Sequence, residues 1–489
     1  MRGLFPLLLA ALAASTSAHA ADVLHLQGTL TGTDHQRYLE LPFQVPAGTG
    51  RVTVTLQHDG SKERTVIDLG LLDANGFRGW SGGSRSTISV SRYDATGGYL
   101  PGALPPGQWN VLLGVPNIRS KVRTPYKVDV TLWSEADVQA GKDRPALVLA
   151  ERPGWYRGDL HMHSTHSDGS CSSQQGNKVP CPLFLSLQAA VRQGLDFVVV
   201  TEHNSVAHLE ELVRHQPWFD RLLLIPGMEV TTFQGHANVF GVNGPVPFRL
   251  GDTLPDWNPV LRQVADSGAV FSINHPALSS GEDCMGCGWT PAKPVDMTGV
   301  HAVEVVNSTQ ADGPRAGVGF WEQQLQQGHR MTAVGGSDSH NPGPADGPSP
   351  IGLPATLVHA EGLSREALLA GIRQGRVVVD VRNARGSRLD LRLETDDGRG
   401  ADMGQELALA AGQWATLRTS LDYPQPVQLE FIVDGKRHRA ALESGDDGSQ
   451  QASLRWRSDG KRHWLRVDAR AADGSLLMLG NPVYVNWSP

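Results

Sequence analysis

Six histidines and five carboxylates, three of them (Asp168, Glu229 and Asp338) read as candidate ligands, stand in short polar clusters between positions 158 and 341, most of them at the end of an apolar run. The clusters are Gly158-Asp159-Leu160-His161-Met162-His163 with Asp168 following, Thr201-Glu202-His203-Asn204, Gly227-Met228-Glu229, Gly235-His236, Asn274-His275-Pro276 and Gly336-Ser337-Asp338-Ser339-His340-Asn341. Imidazole nitrogens combined with carboxylate oxygens suit zinc, manganese or iron better than magnesium or calcium, which favour all-oxygen shells. Taken singly, each cluster has an ordinary explanation. His161 and His163 can be a strand-end pair, His275 a turn residue before proline, and Asp338-Ser339-His340 an Asx-turn. Yet 12 of the 18 histidines fall between positions 150 and 385, less than half of the chain, and that concentration points to a multi-metal hydrolase centre.

The remaining histidines of this segment read as ordinary. His208 and His215 lie on an amphipathic helix over 206–215 and are expected to be solvated, while His301 and His359 adjoin apolar strand residues. His166 competes with Asp168 to complete the first loop, and Asp168 is preferred. Asn204 and Asn307 are candidates for orienting a substrate at the rim.

Strands must deliver these groups. Continuous apolar runs, Phe197-Val198-Val199-Val200, Leu222-Leu223-Leu224-Ile225, Ala269-Val270-Phe271-Ser272-Ile273 and Ala302-Val303-Glu304-Val305-Val306, alternate with helical stretches such as 183–193. Runs buried on both faces with helices between them are the pattern of a parallel α/β sheet. In α/β barrels the site assembles at the carboxyl ends of the strands, which is where the polar clusters fall. On either side the style changes to period-two alternation, as in Arg51-Val52-Thr53-Val54-Thr55-Leu56 and Leu389-Asp390-Leu391-Arg392-Leu393, broken by Gly/Pro turns, the pattern of antiparallel sandwiches. Asp434-Gly435 after the 427–433 run is a hairpin signal. The expected organisation is a signal peptide over 1–20, an N-terminal β-sandwich over 21–147, an α/β barrel over 148–385 and a C-terminal β-sandwich over 386–489.

The first twenty residues carry one early charge, Arg2, a Leu/Ala-rich run over 4–14, and Ala18-His19-Ala20 as a small-x-small site, the pattern of a secretory signal peptide cleaved after Ala20. Its apolar stretch is shorter than the roughly 20 residues a bilayer needs, no other segment supplies a transmembrane span, and no cysteine near the cleavage site offers a lipid anchor. The mature chain is therefore expected in a periplasm or outside the cell. Four cysteines, Cys171, Cys181, Cys284 and Cys287, then predict two disulfides. Local pairs, crossed pairs and a four-cysteine zinc site all fit the spacing. A net charge of −7 argues against a nucleic-acid-coating role, so an anionic substrate has to be attracted locally.

Read in order, the clusters resemble the signature stations of the polymerase and histidinol phosphatase (PHP) superfamily over about 155–381. Gly154-Trp155-Tyr156 and Asn481-Pro482-Val483-Tyr484-Val485 resemble its secreted CehA/McbA-like branch. The resemblance implies a distorted seven-stranded (β/α)7 PHP barrel with two or three metals. It implies His161, His163, Glu229 and Asp338 around one ion, Asp168, His203 and His340 around a second, and Glu229 bridging to a third held by His236 and His275. Two departures stand out: many relatives carry Thr-Asp-His where this chain has Thr201-Glu202-His203, and histidine where Asp168 stands.

Coordination lowers the pKa of water from 15.7 to about 7, so a metal-bridging hydroxide can act as nucleophile without a serine or cysteine. Three ions leave a local charge of about +2 after the three carboxylates and hydroxide, whereas two leave it near zero. The expected activity is hydrolysis of small anionic phosphomonoesters or phosphodiesters, with His161, His163, Glu229, Asp338 and His340 as the catalytic set. A carbamate or carboxylic ester hydrolase on the same site, and a secreted binding module built on the sandwiches, are the alternatives.

Overall fold

The computed structural model describes residues 22–282, 284–343, 349–439, 443–444 and 449–487. The signal peptide read over 1–20 lies outside the described residues, and no described helix is long and apolar enough to cross a membrane. The chain divides into two compact units, Met1–Arg92 with Gly97–Ala136, and Tyr93–Thr96 with Asp137–Pro489.

Alternation dictates the first unit. Strand Arg123–Ser134 buries every second side chain along most of its length and pairs antiparallel with Asp22–Thr31 and Thr49–His58, the latter pairing onward with Thr87–Ser91. A second antiparallel sheet orders Arg37–Val45, Gly107–Asn117, Val66–Asp73 and Gly76–Gly82. Val52, Val54, Val128 and Val130 of the first sheet, and Leu69, Leu71, Trp109, Val111 and Leu113 of the second, are fully buried. Each such side chain contributes about 1.5–3 kcal/mol of burial energy, and the pattern leaves no choice of register, since a one-residue slip would turn the whole row to water.

The second unit is built on one long sheet, and that sheet is mixed and strand-rich. Among the described residues, backbone pairing does not close it into the expected (β/α)7 barrel. Its order is Thr332–Gly336, Ala302–Asn307, Val270–Ile273, Gly235–Phe240, Leu223–Thr232, Phe197–Val200, Gly154–Asp159, Ala355–Ala360 and Val377–Asp380. The neighbours are parallel from Gly154–Asp159 to Phe197–Val200 to Leu223–Thr232, and again from Val270–Ile273 to Ala302–Asn307 to Thr332–Gly336. Between these runs the chain reverses directly after Leu223–Thr232, with Gly235 at φ +142°. Too few residues remain there for a crossover helix, so Gly235–Phe240 inserts antiparallel to both neighbours. The end strand Thr332–Gly336 reaches the other side of the sheet through side chains. Thr356 Oγ1 accepts from Gly335 N at 2.9 Å and donates to Gly335 O at 2.7 Å, while Asn481 accepts from Ala333 N at 2.7 Å and donates to Ala333 O and Val377 O. Helices Leu209–His215, Asn258–Ser267, Val318–Gln327 and Arg365–Arg373 contact the strands they precede or follow.

Residues 386–489, expected as a separate sandwich, do form two layers, but one layer continues the long sheet. Val377–Asp380 pairs with Leu476–Gly480, which pairs with His463–Arg470 and through it with Gln428–Val433. Opposite lies an antiparallel sheet that includes Arg388–Thr395, Trp414–Asp422 and Gln450–Arg457. A single apolar cluster runs from Val198, Val200 and Leu357 to Leu391, Leu417, Leu465 and Val467, so the segment belongs to the same compact unit. Asp434 and Gly435, at φ +49° and +83°, turn the hairpin Gln428–Val433 to Lys436–Arg439, as the dipeptide predicts. Buried Arg157 ties this junction, donating to Asp380 at 2.7 Å, Asn383 at 3.0 Å and Ser387 Oγ at 2.8 Å.

Candidate metal centre

Five separate segments bring all nine nominated side chains together. His161, His163 and Asp168 follow Gly154–Asp159, His203 follows Phe197–Val200, and the hairpin strands Leu223–Thr232 and Gly235–Phe240 carry Glu229 and His236. His275 follows Val270–Ile273, and Asp338 and His340 follow Thr332–Gly336. Glu229 is central. Its Oε1 lies 3.4 Å from His161 Nε2, 3.3 Å from His236 Nδ1 and 3.5 Å from His275 Nε2; its Oε2 lies 2.7 Å from His203 Nδ1 and 3.5 Å from His163 Nε2. Asp338 Oδ1 lies 3.3 Å from His161 Nε2 and 3.1 Å from His163 Nε2. Asp168 Oδ1 lies 3.3 Å from His340 Nε2 and 3.6 Å from His203 Nε2.

Four overlapping groups have ligand atoms close enough to share an ion: His163 with Asp168, His203 and His340; His161 with His275 and Asp338; His161 with His163 and Glu229; and Glu229 with His236 and His275. His275 therefore sits with two sets, where the resemblance implied one. The groups also grade from floor to mouth, the Glu229 side chain being 1% exposed and that of Asp168 58%.

Two observations test whether cations fit. His161 Nε2, His236 Nε2 and Glu229 Oε2 are buried with no hydrogen-bond partner; His203 Nδ1, though close to that Oε2, makes its hydrogen bond to Thr231 Oγ1 at 2.6 Å. Orphaned polar atoms of this kind each cost about 1–3 kcal/mol, and a cation beside Glu229 would satisfy His161 Nε2 and Glu229 Oε2, while His236 turns its Nδ1 to that carboxylate. Moreover, His275 and Asp338 hold left-handed backbone at φ +27° and +51°, an arrangement costing on the order of 1–3 kcal/mol each and typical of ligand clamps. The donor set therefore fits divalent metal.

Without a cation, the Glu229 and Asp338 carboxylates and several of the imidazoles favour one another's charged forms, whereas burial holds His163 below its ordinary value. Burial pushes the Glu229 carboxyl up, but His161, His203 and His236 outweigh it and hold it well below the carboxylate range. Burial likewise opposes ionisation of Asp338, which His161, His163 and His275 keep far below its ordinary value. At the mouth, burial pulls His340 down, yet Asp168 and Asp338 carry it to about 9. Imidazolium protons thus occupy the place of the cation, so metal binding releases protons and weakens as pH falls.

Both disulfides form as local pairs, Cys171 with Cys181 and Cys284 with Cys287, and both brace ligand loops. The first closes the hairpin after Asp168, where Ser170 N donates to His340 O at 2.6 Å. The second places Cys287 O 2.8 Å from His275 Nδ1, which fixes the tautomer with Nε2 turned inward.

Several groups that hold the centre together were not nominated. Glu304 is fully buried on Ala302–Asn307 and lies 2.9 Å from His161 Nδ1. Glu202 accepts from Ser164 N, Ser164 Oγ and Ser167 Oγ and so sets the first loop. Asn274 donates to Glu229 Oε1 at 2.9 Å, and Asp159 accepts three backbone N–H groups. The expected rim residues are committed elsewhere. Asn204 exchanges hydrogen bonds with the Thr231 backbone, and Asn307 donates to Glu304 and Asp338. His166 turns away to Glu211, at 3.5 Å.

His208 overturns its expected solvation. The helix begins only at Leu209, and the turn before it buries the His208 ring completely, with neither nitrogen hydrogen-bonded. Burial depresses it to about 4, against a smaller upward pull from Glu202. A folded value below the unfolded 6.5 means that its contribution is fully present above pH 6.5 and is lost as pH falls towards 4. The loss amounts to roughly 3 kcal/mol. We expect urea denaturation of metal-free protein at pH 7 and at pH 4.5 to show a smaller acid loss in His208→Leu than in wild type; parallel losses would contradict the assignment.

No family model and no curated protein matches the chain. Among solved structures it is similar to a two-domain protein of Bacteroides vulgatus described as containing a predicted PHP-like metal-dependent phosphoesterase, at 18% identity and a TM-score of 0.37, covering 69% of this chain and 97% of that one. It is also similar to Salmonella Typhimurium PliG, a periplasmic inhibitor of g-type lysozyme, at 17% identity and a TM-score of 0.14, covering 24% of this chain and 93% of that one. The capsid of cyanophage Pam1 gives 20% identity and a TM-score of 0.17, covering 26% of this chain and 94% of that one. TM-scores this low carry no weight for the chemistry, which rests on the site's own atoms.

Proposed function

We propose that this chain is an exported metal-dependent hydrolase of phosphoric esters. The observation that carries the reading is the buried Glu229 carboxylate ringed by His161, His163, His203, His236 and His275, with its Oε2 and His161 Nε2 left without hydrogen-bond partners. Bound divalent cations would supply Lewis-acid activation of water near neutral pH. His161, His163, Glu229, His236, His275 and Asp338 would hold them at the floor, and Asp168, His203 and His340 at the mouth.

The chain's own part is orientation and charge. Hydrogen bonds to Glu304, Cys287 O and Asp338 O set the Nδ1 sides of His161, His275 and His340, turning Nε2 of each to the centre. Glu304 adds a fourth carboxylate to Asp168, Glu229 and Asp338. Three dications outweigh these four by two charges, whereas two dications only balance them, so a fully loaded site favours an anionic ester. The motif resemblance to the PHP superfamily, including its secreted branch, supports the same reading. Two disulfides suit an oxidising compartment, with residues 1–20 as the leader removed after Ala20.

The test is turnover by manganese- or zinc-loaded protein of a nitrophenyl phosphodiester, a nitrophenyl phosphate and an aryl carbamate. Hydrolysis of either phosphoester at least tenfold faster in kcat/KM than the carbamate, about 1.4 kcal/mol, is the expected result. Faster carbamate turnover would reassign the substrate class, and no turnover of any ester would overturn the hydrolase reading.

A further inference from the structure

Glu304 stands in the middle of an apolar strand, where a carboxylate is expensive to bury unless its lone pairs are taken up. They are taken up, and by one set of partners. Oε1 lies 2.9 Å from His161 Nδ1, while Oε2 accepts from His275 N at 3.0 Å and from Asn307 Nδ2 at 3.1 Å. Asn307 Nδ2 also donates to Asp338 Oδ2 at 3.2 Å. The strand register shifts between Glu304 and Val306, an irregularity that re-aims a side chain. Opposite, Gly336 makes room: a Cβ there would stand 2.5 Å from Glu304 Oε1 and 2.4 Å from His161 Cβ.

His161, His275 and Asp338 are the three members of one ligand group. We infer that Glu304 is the positioning residue of that group, holding its ring, its backbone turn and, through Asn307, its carboxylate, so that cation binding at the floor, where His161 and His275 also serve the groups built on Glu229, depends on it while the His163, Asp168, His203 and His340 position does not. The inference rests on the metal-centre reading above. A carboxylate on the Nδ1 side fixes the tautomer that offers the Nε2 lone pair to the centre, an outer partner whose loss typically weakens metal binding 10–100-fold. With its oxygens given to N–H donors, Glu304 itself acts as brace and not as ligand. None of the hydrogen bonds that Glu304 makes reaches His163, Asp168, His203 or His340.

The experiment is zinc content after exhaustive dialysis, with affinity by competition against a chromogenic chelator, for wild type, Glu304→Ala, Glu304→Gln, His340→Ala and the double variant Glu304→Ala/His340→Ala. Glu304→Ala is expected to weaken one class of zinc 10–100-fold and leave the other unchanged. His340→Ala should weaken the other class, and the double variant both. Glu304→Gln keeps an acceptor for His161 but sets an amide N–H against the His275 N–H, so its loss should be partial. Should Glu304→Ala fail to fold, the isosteric glutamine variant decides alone. Equal weakening of both classes, or of neither, overturns the inference, whereas wild type that binds no zinc overturns the metal-centre reading instead.

Discussion

Glu229→Gln should remove hydrolysis while leaving the fold in place. The substitution keeps the shape and the Oε1 that accepts from Asn274, but it deletes the charge that sits within 3.5 Å of nitrogens from five histidines. Two of the four ligand groups contain this residue, so its loss should exceed the 10–100-fold that an outer partner costs. We expect turnover to fall by more than about 100-fold, zinc content after dialysis to drop, and far-UV circular dichroism to match wild type. Undiminished zinc content would remove Glu229 from the centre.

The largest stability effect should come from Asp159→Ala. Asp159 is fully buried, and burial keeps its carboxyl above the ordinary value despite the hydrogen bonds it accepts. Oδ1 accepts from His161 N at 3.1 Å and Ser337 N at 3.0 Å, and Oδ2 from Gly352 N at 2.7 Å. These bonds fasten the first histidine loop to the strand end that bears Asp338. Truncation leaves three buried N–H groups without acceptors, each costing about 1–3 kcal/mol, hence a loss on the order of 5 kcal/mol. Asp159→Asn should lose less, since its carbonyl can still serve His161 and Ser337 while its NH2 opposes Gly352 N–H. Urea titration of metal-free protein checks both, and a loss under about 1 kcal/mol in the alanine variant would contradict the role.

The candidate site was more legible in the sequence than the fold was. Histidines and acids at the ends of apolar runs announce themselves by their concentration in one segment, although Asn274-His275-Pro276 and Ser337-Asp338-Ser339-His340 each read singly as ordinary turns. Glu304 was equally visible as a lone acid within Ala302-Val303-Glu304-Val305-Val306, and a buried carboxylate requires partners; reading the run as core alone hid it. His208 misled for the opposite reason, since helical periodicity was extended one turn too early. The antiparallel insertion of Gly235–Phe240 turns on a two-residue reversal at Phe233-Gln234, which apolar-run counting passes over. Strand pairing across the junction was least accessible. Period-two alternation marks 386–489 as sheet, but nothing in it specifies that Leu476–Gly480 joins Val377–Asp380, or that Asn481 bridges Ala333 and Val377.

The most direct test is anomalous diffraction at the zinc and manganese edges from crystals of the full chain grown with each metal. Peaks bounded by Glu229, His161, His275 and Asp338 at the floor, and by Asp168, His203 and His340 at the mouth, are the predicted result. An ordered site with these side chains in place and no anomalous peak among them would contradict the account.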